Sequence, residues 1–371
     1  MSHYKEYSTF QRPVEIELIR SMAHRPLTGK ENKVLDNYFQ DAAEINEAFI
    51  IKPAADWLQT TNDVPDATTM LFGDFWYRGE LCIMFADTNV GKSILAVQIG
   101  NSLSKCEAIP GFNAPSRAEK ILYFDFELSA AQFKKRYSSG VHGNYPFGPN
   151  FARLIFNPEA NGAHKFDSYA HYLNNAIENV IIASGARILI IDNITCLRSG
   201  TEAAASAVNL MSKLQAIKHQ YNLSILVLAH TPKRNPAKPI SRNDLQGSKM
   251  LINFADSAFA IGESQTNRGL RYLKQIKQRS GMQIYGADNV RLCQIIKPYN
   301  FLHFDFTGQE PEARHLLHYT EQQRKTTEDL IAQLHNQGRS LRTISAETGI
   351  SYGTVFRAVK RLERDNVKLK A

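Results

Sequence analysis

Through the middle of this chain, short and mainly apolar runs alternate with longer amphipathic stretches. The runs cover residues 81–85, 121–126, 153–156, 188–191, 225–229, 257–261 and 270–276 and are rich in branched and aromatic side chains. Between them, residues 93–104, 130–137, 168–184 and 203–221 carry a helical period. A strand with one wet face alternates apolar and polar positions. These do not alternate, so both of their faces must be covered. Apolar strands separated by helices predict an α/β fold with a mainly parallel sheet between two helical layers. In such sheets the chemistry gathers at the C-terminal ends of the strands.

The pattern runs from about residue 71 to about residue 306. Residues 1–70 read as a helical N-terminal segment, with stretches at 14–23, 30–39 and 41–49, no chemical motif, and a join marked by Pro65. Residues 307–323 are polar, contain Pro311 and show no period, which reads as a linker. Residues 324–371 are helical throughout and form a small all-α domain.

Composition narrows the picture a little. The 371 residues are 43% hydrophobic, enough for a substantial core. No apolar run approaches the roughly 18–20 residues that span a bilayer, and the first residues lack the apolar stretch of a signal peptide. A cytosolic protein without a membrane partner is expected. Cys82, Cys106, Cys196 and Cys293 are far apart, with no CxxC pair, and read as reduced core thiols. The net charge is +8, and residues 324–371 hold ten Lys and Arg against five Asp and Glu. A basic tail suits a polyanionic partner, although it serves solubility equally well.

The chemistry lies in the motifs. The run at 81–85 leads into Ala86-Asp87-Thr88-Asn89-Val90-Gly91-Lys92-Ser93 and then a helix, the order of a P-loop. Amides of a tight loop wrap phosphates, and the helix that follows presents its positive end. Lys92 is placed to reach the β- and γ-phosphates of ATP, and Ser93 to ligate Mg²⁺. Ala86 stands where the usual pattern has glycine. The alternative is an ordinary strand-to-helix turn. About a hundred residues on, Arg187-Ile188-Leu189-Ile190-Ile191-Asp192-Asn193 is an apolar strand ending in an acid. Asp192 fits the Walker-B position that holds the metal, or else a turn residue.

Residues 79–281 resemble the RecA/DnaB branch of P-loop ATPases. Within it they are most similar to the RepA-like hexameric helicase ATPases of plasmids and mobile elements. Leu122-Tyr123-Phe124-Asp125-Phe126-Glu127-Leu128-Ser129, with Gln132, Lys135 and Arg136, looks like the strand that carries the catalytic glutamate there, Glu127 here. Asn193, in place of a second acid after Asp192, fits that arrangement. Leu226-Val227-Leu228-Ala229-His230-Thr231 resembles the strand whose last polar residue, His230, senses the γ-phosphate. Gly247-Ser248-Lys249 and Asn253-Phe254-Ala255-Asp256-Ser257 are also of this type. Lys277-Gln278-Arg279-Ser280-Gly281 resembles the KxR segment, whose Lys277 and Arg279 would reach a neighbouring subunit's γ-phosphate. The resemblance implies a RecA-like core, ATP with Mg²⁺, and a homo-oligomer such as a hexameric ring.

The chemistry is coherent in its own right. Phosphoryl transfer to water needs a charge clamp, a metal and a residue that orients the water. Lys92, Ser93 with Asp192, and Glu127 supply them. Each has a plainer reading: Glu127 as a helix-start acid, His230 as a buried core histidine, Lys277 and Arg279 as a solvated edge.

Two loops, 197–205 and 232–245, should project from the same sheet end. The second carries Lys233, Arg234, Lys238 and Arg242 against Asp244 and suits contact with DNA phosphates, or is simply a flexible loop. In the tail, 341–348, the turn Gly349-Ile350-Ser351, and 352–362 have helix-turn-helix spacing, with 327–334 as a support helix. Tyr352, Thr354 and Arg357 would meet base edges, and the same fold also serves protein partners. The expected function is ATP hydrolysis coupled to DNA, as a helicase-like motor or loader for a mobile element. The alternatives are an ATP-switched DNA-binding regulator without unwinding and, disfavoured by the tail, a P-loop phosphotransferase.

Overall fold

The computed structural model describes residues 69–371 apart from 158, 195–202, 246–248, 318–320 and 369–371, together with 28–30, 33, 54 and 56. The chain divides into two compact units, Met1–Pro65 and Asp66–Ala371. In the first, Gly29, Lys30, Lys33, Ala54 and Asp56 are helical. The helices expected over 14–23, 30–39 and 41–49 otherwise fall outside the described residues, as do Cys196, Gly247, Ser248 and most of the 197–205 loop.

The second unit opens with a hairpin, β1 (Met70–Phe72) and β2 (Trp76–Tyr77), then β3 (Leu81–Ala86), α1 (Lys92–Lys105), β4 (Ile121–Asp125) and α2 (Ala130–Arg136). A two-stranded hairpin β5 (Ser138–Ser139) and β6 (Gly143–Asn144) precedes β7 (Phe151–Leu154), α3 (Tyr169–Ser184), β8 (Ile188–Asp192), α4 (Ala203–Gln220) and β9 (Ser224–His230). There follow α5 (Lys249–Phe254), β10 (Ser257–Glu263), β11 (Leu270–Lys277), β12 (Val290–Ile296) and β13 (His303–Glu310). The tail is α6 (Glu321–Asn336), α7 (Leu341–Thr348) and α8 (Tyr352–Lys368).

Nine strands form one sheet in the order β13-β12-β11-β10-β3-β9-β8-β4-β7. From β10 to β7 every neighbouring pair is parallel, and β11, β12 and β13 extend the sheet as an antiparallel meander. The expected mainly parallel α/β sheet is therefore what forms. All six residues of β3 are buried, and their alternation feeds two cores. Leu81, Ile83 and Phe85 pack with Leu173, Ile177 and Ile181 of α3 and Leu210, Met211, Leu214 and Ile217 of α4. Cys82, Met84 and Ala86 pack on the other face with Leu95, Val97, Ile99 and Leu103 of α1 and with Phe72, Phe75 and Trp76. Cys82 and Cys293 are buried free thiols, as expected, but Cys106 is half-buried.

Three sequence readings shift. The run expected at 153–156 forms its strand earlier, at Phe151–Leu154. Strands β12 and β13 lie where no strand was expected. The stretch read as a linker begins inside β13 and continues into a 3₁₀ turn at Glu312–His315, with Glu312, His315 and Leu316 buried. Its described residues up to 315 therefore form strand and turn rather than a tether. A buried ion pair explains why polarity misled there: the Lys274 ammonium meets the Glu312 carboxylate, which also accepts from the Ile240 amide at 2.7 Å and the Tyr272 hydroxyl at 3.3 Å.

The tail helices enclose a small core of Ile331, Ile344, Val355, Ala358 and Val359. Ser340 caps α7 by accepting from the Thr343 amide, and Gly349 ends it in the left-handed conformation at φ 69°. Ser351 then starts α8, accepting from the Thr354 amide at 3.3 Å. Among the described residues, no helix is long and apolar enough to cross a membrane.

Candidate nucleotide site

Parallel register brings four strand ends together. Ala86 of β3 pairs with His230 of β9, and Asp192 of β8 pairs with Asp125 of β4. The loop from β3 to α1 begins with Ala86 still in extended strand, so the missing glycine costs nothing there. The left-handed positions fall later, on Asn89 at φ 65° and Gly91 at φ 115°. Asparagine tolerates that region. At Gly91 a Cβ would also lie 2.7 Å from Ile295 and 2.8 Å from Phe304, so glycine is required twice over.

Lys92 is buried, and its ammonium reaches back over the loop to the carbonyls of Ala86 at 3.1 Å and Asp87 at 3.0 Å and to His230 Nδ1 at 3.1 Å. Burial pushes the Lys92 pKa down, while Glu127, Asp192 and Asp87 oppose the shift. An ammonium can only donate, so His230 Nδ1 accepts from it and the ring turns Nε2 toward Asn193 and Glu127. That nitrogen lies 3.2 Å from Glu127 Oε1. The Asn193 amide donates to the same oxygen. The bond to His230 holds the Glu127 carboxyl below its ordinary range, against its partial burial.

Glu127 is positioned by residues that the sequence reading passed over. Asp125, buried at the end of β4, accepts from the amides of Glu127 at 3.2 Å and Leu128 at 2.9 Å. Its other oxygen accepts from Arg153 Nε at 2.8 Å, and Arg153 also donates to the Leu128 carbonyl at 2.6 Å. The Phe126 amide donates to the Asp192 carbonyl at 2.8 Å, tying this turn to β8. A second acid two places before Glu127 and a cation beside an apolar run were the available signals.

Asp192 is fully buried, and desolvation raises its pKa to about 6, although Ser93 and the Tyr123 hydroxyl (2.8 Å) stabilise the carboxylate. Its Oδ1 is buried without a hydrogen-bond partner. An orphaned carboxylate oxygen beside a serine hydroxyl at a P-loop fits Mg²⁺, which takes one or two protein ligands and completes its shell with phosphates and water. Bound there, the metal would neutralise phosphate charge.

Arg271 of β11 was also missed: its Nε donates to the P-loop carbonyl of Val90 at 2.8 Å. Lys277, at the far end of β11, pairs with Ala258 at the start of β10 and so lies away from the P-loop end. Its ammonium donates to the carbonyls of Ile252 at 2.7 Å and Ala255 at 2.6 Å, and burial lowers its pKa. Arg279 meets Asp256 at 3.1 Å. The structure thus joins Lys92, Ser93, Glu127, Asp192 and His230 but not Lys277 or Arg279.

Of the residues expected at DNA, Lys233 and Lys238 are exposed on the 232–245 loop. Arg234 is turned inward, donating to the Lys238 carbonyl and lying 4.0 Å from Asp244. Tyr352 and Arg357 are exposed on α8, and Thr354 is half-buried. Tyr352 stacks on Phe356 with ring centroids 6.4 Å apart.

Fold and site together define a P-loop protein with a RecA-like α/β core. The AAA domain family matches residues 50–236, half of the chain, and the chain belongs to that family. A KaiC-like protein from the hyperthermophilic archaeon Pyrococcus horikoshii OT3 is similar in structure over 65% of this chain and 96% of its own, at 15% identity and a TM-score of 0.41. At that distance the likeness adds nothing to the reading of the site. No curated protein matches the chain.

Proposed function

We propose that this protein is a Mg²⁺-dependent ATPase that works on DNA as an oligomeric, helicase-like motor or loader. The observation that carries the reading is the Lys92–His230–Glu127 chain, in which the phosphate-binding lysine and the candidate water-orienting acid share one histidine. Phosphoryl transfer asks for a cation clamp, a metal and an oriented water, and these residues with Ser93 and Asp192 are suited to each task. Lys277 and Arg279 lie away from their own P-loop, which supports a role at a neighbour's nucleotide in a ring. The basic loop and tail support DNA as the partner.

The test uses purified protein, ATP and a forked duplex. Lys92→Ala should lose nucleotide binding, while Glu127→Gln should bind and barely turn over. Mixing Glu127→Gln with Arg279→Ala subunits should restore part of the activity lost in each. Full turnover by Glu127→Gln removes the base. No recovery at any mixing ratio, in oligomers shown to exchange subunits, removes the shared site. ATP hydrolysis without strand displacement leaves a loader or regulator and removes the motor.

A further inference from the structure

The loop after β9 and the helical tail meet. A cleft of about 620 Å³ lies between them, lined by Lys233, Asn235 and Pro236 on one side and by Ser351, Thr354 and Arg357 on the other. The Leu317 amide donates to the Pro236 carbonyl at 3.1 Å, and Glu312 holds the Ile240 amide farther along the same loop. Residues 312–317 are thus stitched to the loop at two points.

The cleft's charges are unequal in what they still have to give. Arg361 is matched by Glu328 at 2.8 Å, and Arg234 is occupied within its own loop. Lys233 and Arg357 make no side-chain ion pair or hydrogen bond with described residues, and both are exposed. Two unspent cations facing one cleft, with the hydroxyls of Ser351 and Thr354 and the positive start of α8 between them, have the chemistry of a phosphodiester site. The remaining face of α8, with Tyr352, Phe356 and Lys360, points elsewhere and stays open.

We infer that the loop and the tail form one composite site that grips the sugar-phosphate backbone of a single DNA strand. This rests on the DNA reading above and alters it: Lys233 and Arg357 serve the same stretch of backbone, rather than separate non-specific and specific jobs. The cleft also lies close along the chain to the candidate nucleotide site. Lys233 follows His230 by three residues, and His230 touches both Lys92 and Glu127.

The experiment uses full-length Asn235→Cys and Thr354→Cys chains, each carrying an iron–EDTA cleaving group, with the labelled unsubstituted chain as control. Each is bound to an end-labelled duplex. A composite site cleaves the same strand at the same or adjacent nucleotides from both positions. In parallel, Lys233→Gln and Arg357→Gln should each lower the slope of log affinity against log salt by about one unit on that duplex. Cleavage at well-separated positions or on opposite strands, or binding without cleavage from either position, overturns the composite site and leaves the DNA reading intact. No DNA binding at any salt overturns both.

Discussion

Lys92 Nζ lies 3.1 Å from His230 Nδ1, and this contact closes the Lys92 ammonium: its three donors are used on Ala86, Asp87 and His230. An arriving phosphate must therefore displace one of them. His230 is the partner that also touches Glu127. His230→Ala should leave nucleotide affinity within a few-fold and lower turnover by roughly tenfold or more, because Glu127 loses a group that orients it. Equilibrium binding of a fluorescent nucleotide beside steady-state hydrolysis checks it. Equal loss in both would make His230 a simple binding residue.

Arg153 and Asp125 form an ion pair in which Asp125 has no exposed side chain. Arg153→Leu strands that carboxylate and should cost about 3–5 kcal/mol of stability by urea unfolding. Adding Asp125→Asn should recover part of the loss. Turnover should fall more than nucleotide affinity, since the pair holds the Glu127 turn.

Asp192 titrates near 6 in the folded chain against an ordinary value of 3.8. A raised carboxyl means that the folded state holds its proton better than the unfolded state does. The metal-free protein therefore loses stability as pH rises from about 4 to 6, and the full penalty stands above that. Asp192→Asn, with an amide oxygen still able to accept from Tyr123, should gain up to about 3 kcal/mol at pH 8 and almost nothing at pH 4. Thermal melts of both chains in EDTA at the two pH values test this. An equal gain at both would assign the effect to something other than the buried charge.

Glu312 and Lys274 are both buried, with side-chain exposures of 1% and 8%. Glu312→Ala should cost about 3–5 kcal/mol. Arg361→Ala, which breaks the half-exposed pair with Glu328, should cost under about 1 kcal/mol. The first should also speed proteolysis within 232–245, because the Ile240 amide loses its acceptor.

Much of this architecture was legible in the residues. Strands buried on both faces, such as 81–86 and 188–192, are written as unbroken apolar runs, and their ends announce Lys92 and Asp192. Strands β12 and β13 were hidden because they are partly exposed, β13 at the sheet's edge and β12 beside it: β13 reads His-Phe-Asp-Phe-Thr-Gly-Gln-Glu, a polar string in isolation. The residues positioning Glu127 were hidden for another reason. Arg153 lies 28 positions from Asp125, and only the parallel pairing of β4 with β7 brings them together. Arg271 likewise meets the P-loop across 181 positions. Local pattern finds groups that act at their own strand's end and misses those delivered by a neighbour.

Strand β11 holds the P-loop through Arg271 at one end and carries Lys277 at the other. It is paired on both sides near its start, and its register with β10 is interrupted just before Lys277. A hinged loop would absorb a small movement of the P-loop. A strand hydrogen-bonded to its neighbours resists it, so the P-loop is anchored to the sheet by a neighbouring strand as well as by its own.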